Sequence, residues 1–193
     1  SETNHENQEE IDTILEQTEK LDFLIQSLVK LSRMESGIIA VHSEDTTITQ
    51  MLESIQQQFN VKVREKNITL SLCDTDLHVR CDPKWTVEAI GNIVENAIKY
   101  TACGGNVQVK AEQNSFFVKI DIIDDGIGIE KEEMPKIFGR FYRSLSVADQ
   151  PGVGIGLFLA REIIQAQKGY IKVTSKRGKG STFSVFLPIA KKE

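Results

Sequence analysis

Cysteine is scarce in this chain: Cys73, Cys81 and Cys103 are the whole complement, odd in number and without the paired spacing of a disulfide framework or metal site. A reducing compartment, the cytoplasm, is therefore expected. Histidine is equally rare, at His5, His42 and His78, with no two at ligand spacing. Basic residues are outnumbered, 23 Lys and Arg against 28 Asp and Glu, for a formal net charge of −5. Binding to a phosphate backbone needs clustered cations, so neither nucleic acid nor an acidic membrane surface is an expected partner. No window approaches the ~18 consecutive apolar residues of a membrane span, and the opening SETNHENQEE has no signal-peptide pattern. The chain reads as soluble, with no membrane contact of its own. Internal repeats and low-complexity linkers are missing too, which leaves one domain plus an appendage as the expectation for 193 residues.

What is present begins with a long amphipathic stretch. Between Ile11 and Leu31, the residues Ile11, Ile14, Thr18, Leu21, Ile25 and Leu28 recur at alternating spacings of three and four, with Leu15, Leu24 and Leu31 widening the stripe. Charges fall mostly off the stripe, so this helix wants a partner helix; Gly37, closing SRMESG, is its expected C-terminal cap. A second helix is predicted over 46–60, and short strands over 67–74 and 76–82. Asp82-Pro83 then opens a third helix reaching about Tyr100. Two antiparallel hairpins follow, NVQVKAEQ with SFFVKIDIID and GYIKVTSK with STFSVFLP, flanking a glycine-rich stretch and a helix that ends near Gly169. The order implies an α+β fold: a two-layer α/β sandwich, one helical layer on one face of a mixed, mainly antiparallel sheet. The appendage is placed at 1–40 and the domain at 41–193.

Three stretches carry possible chemistry. On the third helix, Asn92, Asn96 and Lys99 form one row at i, i+4 and i+7. Either the row is an ordinary solvated face, or it is a ligand site, since asparagine is a poor helix former. Amide oxygens suit magnesium whose shell is completed by phosphate and water, and a lysine offsets phosphate charge. Next, IDIIDDGIGI ends a buried strand on Asp124, followed by Gly126 and Gly128. Asp-Gly is common turn chemistry, but a carboxylate at a buried strand end needs a partner. Ionised, it only accepts hydrogen bonds, so it suits the exocyclic amine of adenine and repels the carbonyl of guanine. Last, GVGIGLFLAREII places Gly152, Gly154 and Gly156 before a helix. The spacing is neither a dinucleotide fingerprint nor a Walker loop. It still leaves free N–H groups at a helix start, with bare backbone able to approach phosphate.

In order, NIVENAIKYT, DDGIGI, IFGRFYRS, GVGIGL and GKGSTF closely resemble the N, G1, F, G2 and final glycine-threonine boxes of sensor histidine kinases, a resemblance covering about residues 42 to 188. It implies the ATP-binding sandwich shared with gyrase, the Hsp90 chaperones and the mismatch-repair ATPases. By that resemblance Asn96 is the main magnesium ligand and Asn92 assists, while Lys99 and Tyr100 contact phosphates or ribose. Asp124 is the adenine-binding acid, with Gly126, Gly128 and Ile129 at its turn. Phe138 and Phe141 are lid anchors, and Arg143 reaches the γ-phosphate. The phosphate loop takes in Gly152, Val153, Gly154, Ile155, Gly156 and Leu157, and Ser181 and Thr182 belong to the last box.

The implied reaction is transfer of the γ-phosphoryl of Mg-ATP to a histidine, then onward to an aspartate of a response regulator receiver domain. Full-length kinases of this kind pair as homodimers through helical hairpins, and residues 11–36 resemble the second helix of one. The acceptor helix is then expected before residue 1, because the acceptor box, resembling HELRTP, is not matched around His5, and His42 and His78 read as structural or surface residues. Where the superfamily's ATPases have a water-activating glutamate, this chain has Asn92, and an amide takes no proton. Adjacent Glu95 points about 100° away from Asn96 around the helix. Hydrolysis of ATP and a non-catalytic nucleotide- or partner-binding module are the alternatives. Asp125 stands where asparagine is usual and is expected to add negative charge near the nucleotide, and the lid from Leu145 to Pro151 has no basic cluster.

Overall fold

The computed structural model describes residues 41–147, 150 and 152–189, together with part of 10–32. Strict alternation builds its main sheet. Val107 and Val109 on β4 (Asn106–Gln113), Val118, Ile120 and Ile122 on β5 (Phe117–Asp124), and Phe183, Val185 and Leu187 on β7 (Ser181–Pro188) all turn to one face and are buried. With β2 (Thr69–Leu72) and β6 (Tyr170–Ser175) at the edges, the strands run in the order β2-β4-β5-β7-β6. The β2–β4 pair is parallel and the rest are antiparallel, so the sheet is mixed as expected. A separate antiparallel pair, β1 (Glu44–Thr47) with β3 (His78–Cys81), touches the main sheet through the Val79–Ile189 bridge.

Three helices cover the apolar face. In α1 (Ile48–Glu65), Ile48, Met51, Leu52, Ile55 and Phe59 repeat at helical spacing and are buried. α2 (Pro83–Tyr100) starts where Asp82 accepts from the Trp85 N–H at 3.1 Å and proline occupies the first turn. α3 (Gly156–Ala166) buries Phe158, Leu159, Ala160, Ile163 and Ile164. α2 lies between the other two, and buried Gln167 fixes its start: the Gln167 carbonyl oxygen accepts from the Asp82 N–H at 2.6 Å and the Thr86 hydroxyl at 3.2 Å. Each fully buried aliphatic side chain of this layer contributes roughly 1.5–3 kcal/mol.

The expected two-layer architecture is borne out, with differences at the boundaries. The helix expected over 46–60 starts two residues later, because Thr46 and Thr47 pair with Val79 and His78 as strand, and Thr47 then caps α1 by accepting from the Gln50 N–H. The stripe on the first helix is helical at its described positions, and Ile11, Ile14, Leu21, Ile25 and Leu28 are each 43–63% exposed. Leu31, the expected cap Gly37 and His5 lie outside the described residues. His42 and His78 are at the surface; His78 Nδ1 sits 2.9 Å from Asp45 Oδ1.

Candidate nucleotide site

The alternation that packs β5 also aims Asp124. It is the last inward-facing position of the strand, after Val118, Ile120 and Ile122, and it is paired with Ser181 on β7 and Val107 on β4. The side chain is 7% exposed, and burial raises its pKa above the usual 3.8. Two backbone donors offset part of that cost: Gly126 N–H reaches Oδ1 at 2.9 Å and Ser181 N–H at 3.2 Å. Both fall on the same oxygen. Among the described residues no donor is recorded for Oδ2, which is left to accept from a ligand.

Asp124 borders a cavity of about 790 Å³ that cationic and amide side chains also line. Asn92, Asn96 and Lys99 line it from α2. Asn92 spends its amide N–H on the Glu88 carbonyl at 3.0 Å, one turn back. That orientation turns its oxygen toward Gly156, whose Cβ, if it had one, would lie 3.1 Å from it. Burial lowers the pKa of Lys99, and the neighbouring Arg143 charge lowers it further. The Lys99 ammonium stands beside Gly152.

The glycine stretch lines the same cavity. No side chain caps the start of α3, whose N-cap position is Ile155, so its first N–H groups remain for an anion. Gly154 has φ +77°, and a Cβ there would lie 2.5 Å from the Tyr142 carbonyl oxygen; glycine lets the loop lie against the preceding segment. Over the loop, the Arg143 guanidinium donates to the carbonyls of Val147, at 3.0 Å, and Gln150.

One cavity therefore joins an acceptor carboxylate, an amide row and an uncapped helix start. The family model of the histidine kinase-, DNA gyrase B- and HSP90-like ATPases matches residues 81–191, which span all three. The chain belongs to this ATPase family. It is 32% identical over 177 residues to the sensor histidine kinase WalK of Bacillus subtilis, covering 89% of this chain and 29% of WalK. Among solved structures, the mycobacterial sensor histidine kinase MprB superposes with a TM-score of 0.68 at 25% identity, over 77% of this chain and 98% of that one. The kinase ThkA, solved in complex with the response regulator protein TrrA, shares the fold at 21% identity and a TM-score of 0.65, over 88% of this chain and 50% of that one. The chain spans 29% to 39% of the length of the first curated relatives it matches.

Within this ATPase domain most of the expected residues meet. Tyr100, Gly128, Ile129, Ser181 and Arg143 line the cavity with Asp124, and the Lys99 ammonium lies 4.9 Å from the centre of the Tyr100 ring. Gly152, Val153, Gly154, Ile155, Gly156 and Leu157 also border it. Four expected residues, Gly126, Phe138, Phe141 and Thr182, do not border it. Thr182 follows Ser181 on β7, so alternation turns it to the far face of the sheet. Gly126 acts through its N–H, behind the carboxylate. Phe141 is 55% exposed at φ +59°, whereas Phe138 is buried edge-on against Phe183.

Asp125 also departs from expectation. Its carboxylate accepts from the Asn106 backbone at 2.9 Å and the Asn106 amide at 2.8 Å, away from the cavity, and these donors lower its pKa. Glu95 borders the cavity despite its position around the helix, but is ion-paired with Lys62. Sequence reasoning missed Arg177, Tyr142 and Ile137, which border the cavity from the β6–β7 turn and the segment before the glycine loop. A repeated cation in the turn RGKG was the available signal for Arg177.

The donors present suit magnesium only in company. Among the described residues no group of three His, Cys, Asp or Glu could hold a metal. Asn92 and Asn96 offer neutral amide oxygens, and among the described residues the Asn96 amide has no hydrogen-bond partner. Such a pair fits a hard cation that arrives with phosphate oxygens and water.

Proposed function

We propose that this chain is the ATP-binding catalytic part of a two-component sensor histidine kinase, transferring the γ-phosphoryl of Mg-ATP to a histidine on a helix outside this sequence. The observation that carries the reading is the convergence of Asn96, Asp124 and Gly154 on one cavity. Asp124 Oδ2 takes the adenine amine, and its charge rejects the guanine carbonyl. The free N–H groups at the start of α3 and the Lys99 and Arg143 cations hold the phosphates. Asn96, with Asn92, holds magnesium, which neutralises charge developing on the transferred group. Positioning and charge neutralisation are the main levers in phosphoryl transfer, so no acid or base on this chain has to move a proton. Asn92 has no proton-accepting capacity where a water-activating carboxylate would stand, which favours a protein acceptor over water.

The phosphoryl group then passes to an aspartate of a receiver domain, and the kinase pairs as a homodimer through helical hairpins. The exposed apolar residues of the N-terminal helix support that pairing. The site belongs on the cytoplasmic side, where ATP is available; Cys73, Cys81 and Cys103 are free thiols, and no helix among the described residues is long and apolar enough to cross a membrane. Mixing this chain, labelled Mg-ATP and a separately made acceptor hairpin tests the reading. Acid-labile phosphohistidine on the hairpin, lost with Asn96→Ala, is the expected result. Nucleotide binding without labelled hairpin refutes the kinase assignment in favour of a binding module, and rapid release of free phosphate refutes it in favour of hydrolysis.

A further inference from the structure

The cations around the cavity divide by position. Lys99 and Arg143 serve the glycine-loop end, Lys62 is taken by Glu95, and Lys66 donates to the carbonyls that close α2. Arg177 is different. It comes from the turn between β6 and β7, which leads directly to Ser181, the strand partner of Asp124. That turn is pressed onto the Asp124–Gly128 segment: Gly178 N–H donates to the Ile127 carbonyl at 2.7 Å, and a Cβ on Gly128 would lie 2.1 Å from the Lys176 carbonyl oxygen. From there Arg177 Nη1 lies 3.4 Å from the Gly128 carbonyl oxygen and 3.4 Å from the Ser146 hydroxyl, and Nε lies 4.0 Å from Glu130. The guanidinium thus bridges the Asp124–Gly128 turn and the Ser146 segment, both of which line the cavity.

We propose that Arg177 is the nucleoside-positioning residue of this site, its guanidinium plane lying over the purine held by Asp124 while Gly128 and Ser146 fix its edge. Three features favour this role over a phosphate contact. Arg177 contacts the Gly128 carbonyl beside the strand end that carries Asp124, whereas Lys99 stands beside Gly152 of the glycine loop. A guanidinium stacks on an aromatic face while its edge N–H groups stay bonded, which an ammonium cannot do. Its two contacts, to Gly128 and Ser146, both fall on the same edge nitrogen, so they fix that edge and leave the guanidinium plane for a ring.

The inference rests on the ATP reading, and one experiment separates the two. Displacement of a fluorescent ADP analogue by ATP, ADP and AMP is measured for the wild-type chain and for Arg177→Ala, Arg177→Lys, Ser146→Ala and Arg143→Ala, with melting temperatures recorded alongside. Arg177→Ala is expected to weaken all three nucleotides by a common factor of about 3- to 30-fold, the span of a guanidinium over an aromatic face. Arg177→Lys restores less than half of that loss, Ser146→Ala gives a smaller common loss, and Arg143→Ala weakens ATP more than AMP. A loss from Arg177→Ala that grows with phosphate number, an unchanged affinity, or full rescue by lysine overturns the proposal. Failure of the wild-type chain to bind any of the three overturns the ATP reading itself, and Arg177's role with it.

Discussion

Asp124→Asn exchanges one atom and inverts one hydrogen bond. The buried Oδ1 of Asp124 receives both Gly126 N–H and Ser181 N–H, so an asparagine keeps its carbonyl oxygen on those donors and places its NH2 outward, where Oδ2 stood. If Oδ2 takes the adenine amine as proposed, that amine then meets a donor instead of an acceptor. A hydrogen bond to a charged group is worth about 1.5–3 kcal/mol, so ATP affinity should fall roughly 10- to 150-fold. Guanine presents a carbonyl at that place, so GTP affinity should fall less or rise. Because both backbone hydrogen bonds survive and a buried charge is removed, the melting temperature should stay within about 4 °C, the shift that 1 kcal/mol causes in a chain of this size. Calorimetric titration with ATP and GTP beside a thermal melt reads all three quantities. An unchanged ratio of ATP to GTP affinity in a folded variant would show that the outer oxygen does not read the base.

The same carboxyl predicts opposing responses to acid. Burial raises its pKa in the folded state above 3.8, so the folded chain holds the proton more tightly, and acidification through that window favours folding at this residue while removing the adenine acceptor. Nucleotide affinity should therefore fall on acidification before 3.8 is reached, and Asp124→Asn should abolish this step in a binding-versus-pH series. Gly128→Ala should destabilise the domain by about 2–4 kcal/mol in denaturant titration, because φ is +65° and the new methyl meets the Lys176 carbonyl. Thr101→Val should be neutral or stabilise by up to about 1–2 kcal/mol: Thr101 is 1% exposed and its hydroxyl has no hydrogen-bond partner among the described residues. A clear loss of stability would mean that the hydroxyl is bonded in solution.

Features that repeat with a period were legible in the sequence. The amide row on α2 and the alternation ending on Asp124 needed only the helical and strand periods, and both led to the cavity. What failed was adjacency along a strand and pairing across it. Ser181 and Thr182 are neighbours in the motif, yet the pleat gives one to the cavity and the other to the far face. Asp125 looks like a second acid at the base, but Asn106, distant in sequence, faces it across the sheet end and draws it outward. Residues 44–47 carry too little apolar alternation to announce a strand, and only pairing with His78–Cys81 makes them one. Arg177 could not be placed without knowing that its turn packs on Gly128.

Arg143 ties its own loop down by donating to the carbonyls of Val147 and Gln150. If Arg143 reaches the terminal phosphate as proposed, that phosphate must compete with main-chain oxygens, and capture of a triphosphate would slacken the loop. The domain would then register how many phosphates its guest carries as a change in that loop.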